Sequence, residues 1–405
     1  MTKKIRIGIL KETKTPPDRR VVLTPDNVLE AMRHFPEADF VVQKSTLRCF
    51  TDNEYLEKGI TMADDMSVCD VLMGVKEVHI PELIPDKQYH FFSHTHKKQS
   101  YNRPLLQTLV AKKITMVDHE CLTYENGTRV VAFGRWAGIV GAYNAMLGWG
   151  LRTGDYQLKR AVECFDRSEM MEELKHVTLA KNLKILITGK GRVGMGAMET
   201  LSGLKLKMVT AKEFLTQQFN EPVICQIDAD EYVEHKDGGW KDFPYFFKHP
   251  DEFVSTFTPF SKVTDIWIPC HFWDQNSPAF LKPADYQAPD FRIQLIADVS
   301  CDLIDPIPST LHSSSIKEPF YGYNPITQKE CNAFDKNNVT VMAVDNLPGE
   351  LPRDASGEFG ARFIEEVIPA IVRGDDKGII MRGTICSDGK LTERYAYLEE
   401  FLNGK

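Results

Sequence analysis

Apolar runs of strand length alternate with amphipathic runs along most of the chain. Toward the N-terminus Ile5 to Leu10 reads as a strand, Asp26 to His34 as a helix, and Asp39 to Gln43 and Val71 to Val75 as further strands. A second series starts at Lys184 and continues with strands at Pro222 to Ile227, Asp265 to Cys270, Arg292 to Ala297 and Val339 to Val344. Strands that alternate with helices predict parallel sheets covered on both faces. Between the two series, Phe133 to Gly150 is rich in small and aromatic residues, with Arg135 its one charge. Small residues at helical spacing let neighbours approach closely, so this stretch predicts a buried helix joining two domains. After Pro352 the positions Phe359, Phe363, Ile364, Val367 and Ile371 fall at helical spacing, with Pro369 placed to kink the end, and Thr392 to Leu402 predicts another amphipathic helix. Only two short segments follow the last strand, so these helices are expected to return to the first domain. The fold class expected is α/β, with two Rossmann-like doubly wound domains and a cleft between them. The first is discontinuous, residues 1–145 with 350–405; the second spans 146–349 with an insertion at about 211–262.

One junction in this pattern carries chemistry. The strand Lys184 to Thr188 runs directly into Gly189-Lys190-Gly191-Arg192-Val193-Gly194 and opens a helical run with Ala197, Met198 and Leu201. In a Gly-x-Gly-x-x-Gly turn between strand and helix, the first glycine makes the turn, the second lets backbone approach a pyrophosphate, and the third lets helix and strand pack. The helix N-terminus then holds the phosphates. A merely structural glycine turn is the alternative. Gly189, Gly191, Arg192, Val193 and Gly194 are therefore candidate cofactor residues. An NAD site usually carries an acid about twenty residues beyond the first glycine. Here the count reaches Thr210-Ala211-Lys212-Glu213, a helix start in which Thr210 caps and Glu213 reaches back. Thr210 and Lys212 suit a 2′-phosphate, which favours NADP over NAD; Asp228, after the next strand, restores the acid if the register differs.

Composition narrows the class. The 405 residues carry a net charge of -8, 42% apolar and 26% charged residues, which is ordinary globular material. No basic stripe offsets the negative charge, so neither nucleic acid nor anionic membrane is expected as a partner. No apolar run is long enough for a bilayer, and Met-Thr-Lys-Lys leads into a strand and not a signal peptide, so the expected location is cytoplasmic. Nine cysteines without a Cys-x-x-Cys spacing suit free thiols, none with a catalytic role.

Three local features bear titratable groups. Lys76 and Glu77 end the strand after Gly74-Val75; a desolvated lysine there serves as general acid or base, against a plain surface Lys-Glu pair. In Phe91-Phe92-Ser93-His94-Thr95-His96, a strand would point His94 and His96 to one face. Structural, proton-transfer and metal-binding roles stay open for them, but no third ligand stands at informative spacing, so no metal is expected. Arg20 offers a fork for a carboxylate, and Arg129 and Glu120 raise the same choice between a functional group and a solvated charge.

Taken together, these stretches resemble the saccharopine-forming and saccharopine-cleaving dehydrogenases, within the alanine dehydrogenase and transhydrogenase fold group. The matching pieces are Lys11 to Lys14 with Arg20 to Pro25, Gly74 to Lys76, Phe91 to Thr95, Arg129 to Gly134, the glycine loop, and Asp345 to Pro348 continuing to Leu351-Pro352-Arg353. Phe91 to Thr95, the run ending at Gly138, and His249 to Ser255 look most like lysine-ketoglutarate reductase. The resemblance implies reductive condensation of L-lysine with 2-oxoglutarate to saccharopine, with a nicotinamide nucleotide, NADP or NAD, as cofactor. It puts Lys76 and His94 on the acid/base pair and Arg20 on the carboxylate-binding arginine. Glu77 and Glu120 fall where acids orient the lysine, Arg129 and Phe133 in the substrate region, and Asp345 with Leu347 beside the nicotinamide. The implied partners are these small molecules; nothing in the sequence sets an oligomeric state. Two alternatives remain: an alanine or opine-type dehydrogenase acting on another amine and 2-oxo acid, and a non-catalytic nicotinamide-nucleotide sensor.

Overall fold

A computed structural model describes residues 4–303 and 305–404. Met1, Thr2 and Lys3, which open the reading of the N-terminus, lie outside the described residues. The chain divides into two compact units, the first running to Phe133 and resuming at Pro352, the second Gly134–Leu351.

The first unit is built on an eight-stranded sheet in the order Lys390–Leu391, Thr384–Ser387, Thr115–Asp118, Gln88–Phe92, Val71–Lys76, Ile5–Ile9, Ala38–Gln43, Thr61–Ala63. The six strands from Thr115–Asp118 onward are parallel, and the C-terminal pair joins antiparallel. Alternation along Val71–Lys76 divides the core. Val71, Met73 and Val75 pack with Val28, Phe359 and Phe363, while Leu72 packs with Tyr89, Leu106 and Leu398 on the other face. Such a strand is buried on both sides and reads as a continuous apolar run.

The helix expected after Pro352 runs Pro352–Arg362, widens into a π-helical turn over Phe363–Val367, and resumes as Ile368–Val372. Pro369 supplies the reason: its ring clashes with the carbonyl four residues back and it donates no N–H. The widened turn, with Ile368 N–H donating to Phe363 O, takes the place of a sharp kink. Thr392 to Leu402 is a 3-10 segment, Glu393–Leu398, followed by one α-turn, Glu399–Leu402, in place of the single amphipathic helix expected.

The second unit has its own eight-stranded sheet, ordered Lys329–Cys331, Phe320–Asn324, Val339–Met342, Leu295–Ala297, Ile266–Pro269, Lys184–Thr188, Val223–Ile227, Lys207–Met208. From Val339–Met342 onward the pairs are parallel. The helix Gly134–Thr153 packs backbone to backbone on Arg192–Leu201. A Cβ on Gly138 would stand 1.9 Å from Val193 O, and one on Gly196 2.0 Å from Arg135 O. Between Val223–Ile227 and Ile266–Pro269 the chain forms the antiparallel pair Val233–His235 and Phe253–Ser255 with the short helix Phe243–Lys248. Trp240, Phe246 and Phe253 meet there with ring centroids 5.0 to 5.8 Å apart, so this excursion is held by its own aromatics. Among the described residues no helix is long and apolar enough to cross a membrane.

Candidate active site

Lys76 and the Phe92 end of Gln88–Phe92 are register partners on neighbouring parallel strands, so Lys76 and the His94 segment emerge at the same carboxyl edge of the first sheet. Open α/β sheets collect ligands beyond that edge. Glu12 fastens it: its carboxylate accepts the N–H of Val75 at 2.7 Å and of Lys76 at 2.8 Å. Burial pushes the Glu12 carboxyl up to about 8. Burial, with Arg20 nearby, lowers the Lys76 ammonium below its usual value and so favours the neutral amine.

Arg20 and Asp18 are both buried and joined as a fork, Nε to Oδ1 at 3.0 Å and Nη2 to Oδ2 at 2.6 Å. Burial opposes the Asp18 charge, but Arg20 holds the carboxyl far below the usual range. The Arg20 guanidinium also lies 4.3 Å from the centre of the Phe133 ring, which itself stacks on Phe359 at 4.5 Å. Glu77 turns the other way. It pairs with Lys14 at 2.8 Å and lines a cavity of about 410 Å³ with Thr13, His79 and Tyr101.

His94 and His96 do not share a strand face, contrary to the sequence expectation. The strand stops at Phe92, His94 adopts a left-handed backbone at φ 54°, and His96 lies in the 3-10 turn Thr95–Lys97. What holds this bend is Asp118, which is fully buried and accepts the N–H of Ser93 at 2.9 Å and of His94 at 3.0 Å on Oδ2, and that of Glu120 at 2.8 Å on Oδ1. The Ser93 hydroxyl also donates to Asp118. Burial works against the Asp118 charge, yet these donors and His96 hold its carboxyl below the ordinary value.

Glu120 gathers cations. Lys97 stands 2.8 Å away and Arg129 donates to its Oε1, while the Nε2 atoms of His94 and His96 lie 3.8 and 3.6 Å from its Oε2. Burial raises the Glu120 carboxyl, but Lys97 and Arg129 outweigh it and the net shift is downward. Burial and Lys97 lower His94 below its ordinary value against the pull of Asp118 and Glu120. His94, Glu120 and Arg129 thus form one constellation. Glu12, Asp118 and Lys97 were assigned no role from sequence; the signals present were that Glu12 falls within the matching piece Lys11 to Lys14 and that Asp118 ends an apolar run at a sheet edge.

In the second unit Gly189 takes φ 101°, and a Cβ there would meet Cys270 O at 2.7 Å, so only glycine fits. Around Gly191 a Cβ would meet nothing within 4 Å, and the helix Arg192–Leu201 begins immediately after it. Open backbone at a helix N-terminus fits a pyrophosphate. Val193 is half-buried and Arg192 exposed. Asp228, ending the strand beside Lys184–Thr188, accepts the Lys190 N–H at 3.3 Å and so stands at the glycine loop. Thr210 and Lys212 follow the edge strand Lys207–Met208, one strand further out. Thr210 Oγ1 caps Glu213 N–H and donates back to the Glu213 carboxylate at 2.8 Å. Asp345 is exposed, whereas Leu347 is buried.

Known proteins agree with this architecture. Residues 8–140 match the family of alanine dehydrogenase/PNT N-terminal domains. An α-aminoadipic semialdehyde synthase of Arabidopsis thaliana is 27% identical over 97% of the chain, which spans only 41% of that protein's length. A saccharopine dehydrogenase of Neurospora crassa, named NAD(+), L-lysine-forming, is 26% identical over 89% of the chain and 88% of its own length. The chain is homologous to both. A solved L-alanine dehydrogenase superposes with a TM-score of 0.68 over 98% of the chain and 99% of its own at 16% identity, a likeness of fold. The Neurospora crassa relative is by its name a dehydrogenase that uses NAD(+).

Proposed function

We propose that the chain is an NAD-dependent dehydrogenase of the saccharopine type, which reversibly condenses the ε-amine of L-lysine with the ketone of 2-oxoglutarate and reduces the imine. The observation that carries this reading is the emergence of Lys76 and the His94 segment from neighbouring parallel strands at one sheet edge, fixed there by two buried carboxylates, Glu12 and Asp118. Forming the imine demands proton transfers at the attacking amine and at the departing hydroxyl. Lys76, biased by burial toward the neutral amine, takes the proton that the attacking amine sheds; neutral His94 passes a proton on to the carbinolamine oxygen, and the nitrogen lone pair expels that oxygen as water with a second proton drawn from solvent, leaving an iminium for the hydride. Glu120 orients the cationic lysine, while Glu77, paired with Lys14, takes no part in this step. Arg20, steadied by Asp18, and Arg129 receive carboxylates, with Phe133 beside them. A bound nicotinamide supplies the hydride.

The glycine loop, Gly189 to Gly194, and the start of the following helix would receive the pyrophosphate, with Asp345 and Leu347 on the nicotinamide side. The position of Asp228 supports NAD over the NADP that the sequence count favoured. A carboxylate at the end of the strand next to the loop accepts ribose hydroxyls and repels a 2′-phosphate. Thr210 and Lys212 stand beyond that strand, roughly two strand spacings or about 10 Å from the central strand. The name of the Neurospora crassa relative supports the same cofactor.

The test is nicotinamide absorbance with L-lysine and 2-oxoglutarate, using NADH or NADPH, with each substrate omitted in turn. Oxidation that needs both substrates and prefers NADH is expected. Oxidation with pyruvate or another amine instead would transfer the reading to an alanine or opine-type dehydrogenase. Cofactor binding without turnover on any such pair would make the chain a sensor.

A further inference from the structure

We infer that His96, Asp118 and Cys121 form a binding site for one divalent transition metal of the zinc class. The third donor that the His94 and His96 spacing lacked in sequence is a thiol 25 residues beyond His96. Cys121 closes the 3-10 turn His119–Cys121, which starts directly after the strand ending in Asp118. One ligand atom from each of the three residues lies within 4.8 Å of the others.

The spacing has a chemical meaning. His96 Nδ1 stands 3.8 Å from Asp118 Oδ2, too far for a hydrogen bond, and this buried nitrogen has no hydrogen-bond partner among the described residues. Bonds of about 2.0 Å to nitrogen and oxygen and about 2.3 Å to sulfur put two tetrahedral ligands roughly 3.3 to 3.5 Å apart, so the His96 and Asp118 donors need draw together by only about 0.5 Å. The surroundings are also those of a metal ligand set. The other nitrogen of His96 faces Glu120 Oε2 at 3.6 Å, where a ligating imidazole commonly directs its remaining N–H. Asp118 is oriented by the N–H groups of Ser93, His94 and Glu120. A thiolate with an imidazole selects zinc, cobalt or cadmium over magnesium or calcium. Three protein ligands leave the fourth position to water.

The full chain, stripped of metal, is titrated with Co²⁺ alone and then with Zn²⁺, and absorption is recorded. One equivalent of Co²⁺ should give intense tetrahedral ligand-field bands and a thiolate-to-cobalt charge-transfer band, and Zn²⁺ should erase both. Cys121→Ser should lose the charge-transfer band, and His96→Asn should weaken binding at least about tenfold, with circular dichroism unchanged. Absence of the bands in the unaltered chain, or a charge-transfer band that persists in Cys121→Ser and so belongs to another cysteine, overturns the assignment. Should His96→Asn fail to fold, the unaltered chain and Cys121→Ser still decide. The readout is a spectrum and not turnover, so its failure is separate from failure of the dehydrogenase reading.

Discussion

The carboxylate of Glu12 accepts the backbone N–H of Lys76 at 2.8 Å while its second oxygen takes the N–H of Val75 at 2.7 Å. A residue 64 positions away in sequence from Lys76 thereby closes the end of a buried strand. Burial raises the Glu12 carboxyl from 4.5 to about 8, so the folded chain binds this proton more tightly than the unfolded chain does. The stabilising contribution is complete below about pH 4.5 and is lost as pH rises through about 8. Glu12→Gln cannot ionise and should flatten the decline of unfolding free energy between those limits. It should also cost about 1 to 3 kcal/mol at low pH, because an amide NH₂ confronts a backbone N–H. Urea unfolding of both proteins across that range checks this, and parallel pH slopes would remove Glu12 as the titrating group.

Lys76→Met and His94→Gln each take away a group proposed to move protons. Turnover should fall by about 10² to 10⁴ in each, with little change in cofactor affinity. Steady-state kinetics beside cofactor titration by nucleotide fluorescence separates the two effects. Near-normal turnover in both variants would exclude them from the chemistry.

Asp228→Ala should move the ratio of kcat/KM for NADH over NADPH by at least about tenfold toward NADPH, a change of about 1.4 kcal/mol. Thr210→Ala and Lys212→Ala should leave that ratio where it was. The reverse pattern would return the ribose site to the Thr210 helix.

A methyl group on Gly138 has no room, since it would lie 1.9 Å from Val193 O. Gly138→Ala must force apart helices that otherwise touch backbone to backbone, and should destabilise the second unit by about 1 to 3 kcal/mol. Thermal unfolding followed by circular dichroism measures it; an unchanged midpoint would mean the helices separate freely.

Much of the architecture was legible because burial on both faces leaves a plain trace: Val71 to Val75 is apolar without interruption, and so is Ile185 to Ile187. The close helix pair was legible in the small residues between Phe133 and Gly150 for a related reason, since a short interaxial distance needs glycine at the crossing. Features set by distant partners were not. The left-handed backbone at His94 depends on a carboxylate 24 residues on, so a strand reading of Phe91 to His96 followed naturally from its alternation. The count of twenty residues from Gly189 to Thr210 could not show that Thr210 follows a short edge strand, with the helix Ala211–Thr216 between it and the strand that adjoins the loop. Linear distance says nothing about which strand pairs with which. The edge pair Thr384–Ser387 and Lys390–Leu391 escaped notice because it is short.

The π-turn at Phe363–Val367 holds one residue more than a regular helix would need between the same two flanks. Removing one residue there would leave the outward and inward faces of Pro352–Arg362 and Ile368–Val372 in phase, yet would drive the Pro369 ring back against a carbonyl. Replacing Pro369 alone would leave a wide turn with nothing to accommodate. The extra residue and the proline are therefore epistatic: each is a defect by itself, and a chain that lost both together would recover an unbroken helix.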